Sequence, residues 1–228
     1  VDVDIDYAVA RENLVRALRY EVRSERALAA MARVPREHFV PPDLRRYAYE
    51  DRPLPIGHGQ TISQPLMVAL MTEALRLQGD ERVLELGTGS GYQAALLAEL
   101  ATQVVTVERV PELAEQACRR LEELGYKNIE VHTAGDALGW PEGAPYDAIL
   151  VTAGAPRVPR ALLQQLALGG RLVIPVGQRR VQQLLYVTRE PRGTIVQKLG
   201  ECRFVPLIGR GAWSEAEASA EYFDGFSV

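Results

Sequence analysis

The stretch Val83-Leu84-Glu85-Leu86-Gly87-Thr88-Gly89-Ser90-Gly91-Tyr92 constrains the fold of this chain more than any other. Val83, Leu84 and Leu86 form a short apolar run suited to a central parallel strand. Gly87, Gly89 and Gly91 let the backbone turn sharply and approach a ligand with no side chain between. Ala94, Ala95, Leu96, Leu97 and Ala98 then continue as a helix. A strand feeding a helix through such a turn is the first half of a nucleotide-type cofactor site.

The spacing is G-x-G-x-G, because Tyr92 occupies the place of the third glycine in the dinucleotide pattern. Glu85 adds negative charge just before the turn, where a pyrophosphate would sit. Both features disfavour a nicotinamide or flavin dinucleotide. A ligand carrying an ammonium and a sulfonium tolerates Glu85 better. The run E-x-G-x-G-x-G resembles motif I of the class I S-adenosylmethionine methyltransferases.

With 228 residues, the chain has room for one α/β domain and a small addition. Its formal net charge of −4 comes from mixed signs, so no general electrostatic pull toward nucleic acid or membrane is expected. No apolar run approaches the roughly 20 residues of a membrane span. No charged segment with an apolar core opens the sequence, so a cytoplasmic location is expected. Cys118 and Cys202 are far apart and read as buried free thiols in a reducing compartment. No His/Cys/Asp cluster has ligand spacing, so no metal is expected. Scarce Asn, Cys and Met would suit a thermophile, although an excess of Arg over Lys can reflect genome composition alone.

Residues 8–33 read as one helix, with Leu14, Val15, Leu18, Val22, Leu28 and Met31 inward. An extended, proline-stiffened connector follows through Pro42, then a long ordered loop over 47–64. Residues 65–77 read as a helix with Pro65 in its first turn. From Glu81, strands and helices alternate: strands at 82–86, 104–108, 129–132, 148–152 and 171–175, then a hairpin around Gly177–Arg180 with strands at 183–189 and 194–204. This predicts an α/β fold, a doubly wound, mostly parallel seven-stranded sheet with helices on both faces and an antiparallel C-terminal edge. The expected division is 1–80 as N-terminal helices and substrate-side loop, 81–210 as the Rossmann-like cofactor domain, and 211–228 as a loosely held tail.

Glu108 ends the second strand, where a carboxylate can accept from ribose hydroxyls. Asp136, after the third strand, could accept from an adenine amino group while the Ala137 backbone meets a ring nitrogen. The alternative for Asp136 is an Asx turn. These positions and the glycine turn fall at carboxyl ends of adjacent strands, where such sheets bind ligands.

The segment Pro53-Leu54-Pro55-Ile56-Gly57-His58-Gly59-Gln60-Thr61-Ile62-Ser63-Gln64-Pro65 resembles the signature of the protein-L-isoaspartate (D-aspartate) O-methyltransferases. The likeness extends through residues 34–41, Ala48-Tyr49-Glu50-Asp51, Gly139-Trp140-Pro141, Tyr146-Asp147-Ala148-Ile149 and Phe204-Val205-Pro206-Leu207, over roughly residues 8–210. Ala137 departs from it, since the family usually has Gly after Asp136. The resemblance implies S-adenosyl-L-methionine as donor, with S-adenosyl-L-homocysteine as product. The implied acceptor is the free carboxylate of an L-isoaspartyl or D-aspartyl residue in a damaged protein or peptide. The ester then closes to a succinimide, which starts repair. By the same resemblance Ser63 is the active-site serine. Gln60, Thr61, Ile62, Ser63, Glu85, Gly87, Thr88, Gly89, Ser90, Gly91, Glu108, Arg109, Asp136 and Ala137 match cofactor positions. Val205 and Leu207 match positions whose backbone pairs with substrate, and His58 either contacts substrate or packs the loop.

An acceptor carboxylate with an intrinsic pKa of about 3.5–4 is already ionised at neutral pH, so no general base is needed. Ser63 is therefore expected to orient that carboxylate; it could also cap the helix beginning at Pro65. A monomer without nucleic-acid or membrane partners is expected. Three rivals stay open: a class I methyltransferase with another acceptor, a non-catalytic S-adenosylmethionine-binding module, and a nicotinamide oxidoreductase. The Asp224-Gly225 step is itself expected to isomerise and to be methylated by another copy.

Overall fold

A computed structural model describes residues 5–220 of the chain. Two helices open it, α1 (Tyr7–Leu18) and α2 (Glu25–Arg33), where one helix over 8–33 is expected. The break has a local cause. Ser24 caps α2, its Oγ accepting from Ala27 N at 3.2 Å, and Glu73 accepts from the Arg23 and Ser24 amides at 2.7 and 2.6 Å. The expected inward residues are all buried, because the apolar spacing continues across the break. The connector after α2 is not extended throughout. It contains 3₁₀ turns at Arg36–Phe39 and Pro42–Tyr47.

The expected loop over 47–64 holds an antiparallel hairpin, β1 (Leu54–Gly57) and β2 (Gln60–Ile62). Helix α3 (Pro65–Ala74) follows and ends before Leu77. Then come β3 (Arg82–Leu86), α4 (Tyr92–Ala98), β4 (Gln103–Glu108), α5 (Pro111–Glu123), β5 (Ile129–Thr133), β6 (Tyr146–Val151), α6 (Arg160–Gln165), β7 (Leu166–Gly177), β8 (Gln182–Glu190) and β9 (Gly193–Cys202). The seven-stranded sheet has the order β5-β4-β3-β6-β7-β8-β9, parallel through β7 and antiparallel beyond it. Apolar layers cover both faces. One joins Val83, Val104 and Ala148 to α1–α4; the other joins Leu84, Val105 and Ile149 to Leu162 of α6. The doubly wound, mostly parallel sheet with an antiparallel edge is thus as the strand–helix alternation predicts.

The described part of the tail makes contacts with the core. Trp213 donates from Nε1 to Gly154 O at 3.0 Å, and α7 (Glu215–Ala220) follows. The Asp224-Gly225 step lies outside the described residues. Cys118 and Cys202 are free, as expected, but only half-buried.

Strand order reverses between β3 and β6, and ligands bind at such switch points beyond the strand ends. The glycine turn follows β3 there. Gly87 has φ +96°, and a Cβ on it would lie 2.3 Å from Thr152 Oγ1, just past β6. Left-handed strain and this overlap act together at one residue. Gly87→Ala should therefore lower the unfolding free energy by about 2–4 kcal/mol, measured by denaturant titration.

Candidate active site

Three strands hold the glycine turn in place. Thr152 Oγ1, beyond β6, lies 3.0 Å from Leu86 O and 2.8 Å from Gly87 O, and its hydroxyl donates to them. Glu108, ending β4, accepts from Gly89 N at 2.8 Å and from Val110 N at 2.9 Å. Beneath the turn, Thr106 donates to Glu85 Oε2 at 2.6 Å, and the Thr88 and Thr106 hydroxyls meet at 2.6 Å. Glu85 is fully buried, and its Oε1 has no partner among the described residues.

Above this base lies a cleft with about 940 Å³ of atom-free space, partly open to solvent. Gln60, Thr61, Gly87, Gly89, Glu108, Arg109, Asp136, Ala137, Val205 and Leu207 from the sequence expectation line it. Ile62, Glu85, Thr88 and Gly91 do not; they are buried around it. Ser90 faces a separate groove beside α5, and Arg120 Nη1 donates to its carbonyl at 2.7 Å. His58 sits exposed on the β1–β2 turn with φ 52° and lines none of these cavities.

Ser63 belongs to an adjoining pocket. Thr61, Thr152, Val205 and Pro206 line both this pocket and the cleft, so the two share a wall. Ser63 does not need to cap α3, because Asp51 Oδ1 already accepts from Leu66 N at 2.8 Å. Its own carbonyl is held from below. Arg36, fully buried, donates from Nη2 to Ser63 O at 2.7 Å and from Nε to Ala48 O at 2.8 Å. The same guanidinium lies 4.8 Å from the ring centre of Tyr92, the first residue of α4.

The main chain at Val205 and Leu207, expected to pair with substrate, is partly paired within the protein. Val205 O accepts from Gly154 N at 2.7 Å, Leu207 N donates to Gly154 O at 2.8 Å, and Leu207 O accepts from Trp213 N at 3.0 Å. The segment folds back on Gly154 and Trp213, so the Leu207 main chain already pairs within the protein. Arg109 pairs with Glu215 at 2.8 Å, and Arg179 donates to Glu217 O at 2.8 Å, which places α7 beside the cleft.

Sequence reasoning does not single out Arg36, Thr106 or Thr152. Only Thr152 carries a local signal, a hydroxyl just past the carboxyl end of a central strand. Trp140 stacks on His132 with ring centres 3.9 Å apart, and Tyr146 donates to Trp140 O, so both pack the sheet's rim.

The cleft's charged groups decide what it can hold. Glu108 and Asp136 are carboxylates suited to hydroxyl and amino donors, and each Glu108 oxygen retains a second acceptor site. Arg109 is the one cation on its wall among the described residues, and it is paired. Such a set suits a nucleoside with a cationic tail better than a pyrophosphate.

Burial raises the Glu85 carboxyl from 4.5 to about 8; the Thr106 hydrogen bond opposes the rise and the nearby Glu108 charge adds to it. Above pH 4.5 the unfolded chain ionises Glu85 while the folded chain keeps its proton up to about 8. Its contribution to stability is therefore full below pH 4.5 and is lost as pH rises to about 8. The unfolding free energy of the ligand-free protein minus that of Glu85→Gln should fall across that window and level off above it. Denaturant titrations at stepped pH measure this.

A family model described as protein-L-isoaspartate(D-aspartate) O-methyltransferase (PCMT) matches residues 9–212. Protein-L-isoaspartate O-methyltransferase 1 of Syntrophobacter fumaroxidans is 53% identical over 211 residues, which cover 92% of this chain and 99% of that protein. A solved structure of a protein-L-isoaspartate O-methyltransferase superposes with a TM-score of 0.79 at 34% identity, covering 89% of this chain and 67% of the other. A crystal structure of a Plasmodium falciparum beta-aspartate methyltransferase (PCMT) in complex with S-adenosyl-L-homocysteine superposes at 0.76 with 26% identity, covering 91% and 100%.

Proposed function

The chain belongs to the protein-L-isoaspartate(D-aspartate) O-methyltransferase family, and we propose that in it Ser63 orients the acceptor carboxylate while the cleft beside it seats the donor. The enzyme uses S-adenosyl-L-methionine to methylate isoaspartyl residues of damaged proteins, the step that initiates their repair. The shared wall of Thr61, Thr152, Val205 and Pro206 carries the assignment of roles, since donor and acceptor must meet across it.

When bound, S-adenosylmethionine supplies an electrophilic methyl group on a sulfonium. Glu108 and Asp136 suit its ribose hydroxyls and adenine amino group, with the backbone at Ala137 beside them. Glu85 lies beneath the turn and supports it from below. Ser63 offers one hydroxyl hydrogen bond to a carboxylate that is already ionised, so no residue needs to take a proton. Arg36 fixes the main chain that carries Ser63. The remaining task is alignment at about 3 Å, with water kept out where opposite charges cancel. Among the described residues, the Val205 N–H and the Pro206 carbonyl take no main-chain partner, and both are available to a substrate main chain.

We read the enzyme as a cytoplasmic monomer that needs no nucleic acid. The net charge of −4 supports the absence of a nucleic-acid partner, and no described helix is long and apolar enough to cross a membrane.

Labelled S-adenosylmethionine should give base-labile label on an isoaspartyl peptide and none on its aspartyl twin. Ser63→Ala should lower kcat roughly 10- to 100-fold with little change in donor affinity. If kcat is unchanged, the role given to Ser63 is wrong. Arg36→Met strands the Ala48 and Ser63 carbonyls. It should cost about 2–4 kcal/mol of stability and lower kcat about tenfold, while donor affinity measured by calorimetry stays within about threefold.

A further inference from the structure

The Ser63 pocket does not end at the serine. Met67 and Glu201 line it and also line a second groove, running between α3 and the end of the sheet. One wall is the α3 stripe Met67, Leu70 and Ala74, whose spacing puts all three on one face of the helix. The other wall is Leu184 with Leu199, Gly200 and Glu201.

Leu199 owes its position to a β-bulge. Leu184 pairs with Gly200 and Leu185 with Lys198, which leaves Leu199 as the extra residue of β9. Bulges re-aim side chains, and here a leucine is left 42% exposed beside the groove. Met67 and Leu70 are half-buried. Arg23, Arg26, Glu73 and Arg76 also line the groove, but Met67, Leu70, Leu184 and Leu199 give it an apolar stripe that adjoins the place where the isoaspartyl carboxylate would be held.

We propose that this groove seats a bulky apolar side chain of the damaged polypeptide, a few residues along the chain from the isoaspartyl residue. The proposal rests on the acceptor reading of the Ser63 pocket and adds a specificity element to it. Continuity through Met67 and Glu201 identifies the occupant, since the substrate's own chain must leave the pocket by some route. Distance agrees. From Ser63 to Ala74 the chain climbs on the order of 16 Å at about 1.5 Å per residue. An extended peptide covers that length in about five residues at roughly 3.3 Å each.

Such a subsite has a chemical consequence. Bulky apolar side chains are mostly buried in folded proteins. A groove that binds one beside the modified residue favours segments that have lost their packing. Main-chain hydrogen bonds alone cannot make that distinction, because they are the same for every side chain.

The test uses isoaspartyl peptides that carry either Leu or Ser four residues before, or four residues after, the isoaspartate. With the intact enzyme, one Leu peptide should show kcat/KM about tenfold above its Ser counterpart, mainly through KM. Leu199→Ser should bring that peptide down to the Ser level and leave the Ser peptide unchanged, whereas Leu199→Met should keep the preference. Equal rates for Leu and Ser peptides at both positions would overturn the groove while leaving methylation intact. Equal slowing of both peptides by Leu199→Ser would also overturn it. If no isoaspartyl peptide is methylated, the acceptor reading itself fails, and the groove with it. A concentration-dependent dimer in sedimentation that dissociates on Leu199→Ser would make the occupant a second copy and overturn the proposal.

Discussion

The glycine turn at the switch point can face a ligand only because side chains from the two strands flanking β3 hold it open. Gly87, Gly89 and Gly91 all have positive φ, and only Thr88 and Ser90 between them bring side chains to pack the turn. Thr152 ties it to β6, and Glu108 ties it to β4 through Gly89 N and Val110 N. Gly91 completes the fit from the far side, where a Cβ would press to 3.4 Å on Ala117 and Leu121 of α5. A turn fixed in this way presents its backbone without having to be ordered by the ligand, which removes one cost of binding.

Glu108 performs two jobs that the sequence suggests only in part. A strand-end carboxylate reads naturally as a partner for ribose hydroxyls. In the structure it is first a brace for the turn, using both oxygens on backbone amides. The roles are compatible, because a carboxylate oxygen accepts more than one hydrogen bond. Glu85 shows the converse. Its position before the glycines suggests a residue on the ligand surface, yet it lies fully buried below the cleft. It is kept neutral mainly by desolvation and is held by Thr106. A neutral acid under the turn adds no charge there, so the electrostatic character of the cleft is set by Glu108 and Asp136.

The sheet was legible because its strands are apolar runs bounded by glycine and proline, and these signals are local. The buried faces of α1 and α2 were legible for the same reason, even though the break between them was not. Ser24 looks like one polar residue in a helix until its hydroxyl is seen to accept from Ala27 N while Glu73 accepts from the Arg23 and Ser24 amides. Arg36 was not legible. Its partners Ala48, Ser63 and Tyr92 are distant in sequence, and nothing in an R-E-H-F segment distinguishes a buried guanidinium from a solvated one. The closed pairing of Leu207 depends on Trp213, which lies past the residues that the family model matches. Local pattern reveals elements, whereas a side chain that joins elements is visible only once they are assembled.

Arg36 also bears on why the acceptor side is built as it is. A buried guanidinium bonded to carbonyls rather than to a carboxylate is costly to desolvate. Its geometry gives a reason for it. One side chain holds the main chain of Ser63 and packs on Tyr92, which starts the helix leaving the glycine turn. Acceptor serine and donor turn are thereby fixed to the same rigid point. A reaction that needs a general base could tolerate some looseness and recover rate through proton transfer. Transfer of a methyl group to a carboxylate that is already ionised has no such step, so alignment is what remains for the protein to supply. The cost of burying Arg36 then falls where the chemistry has its main requirement.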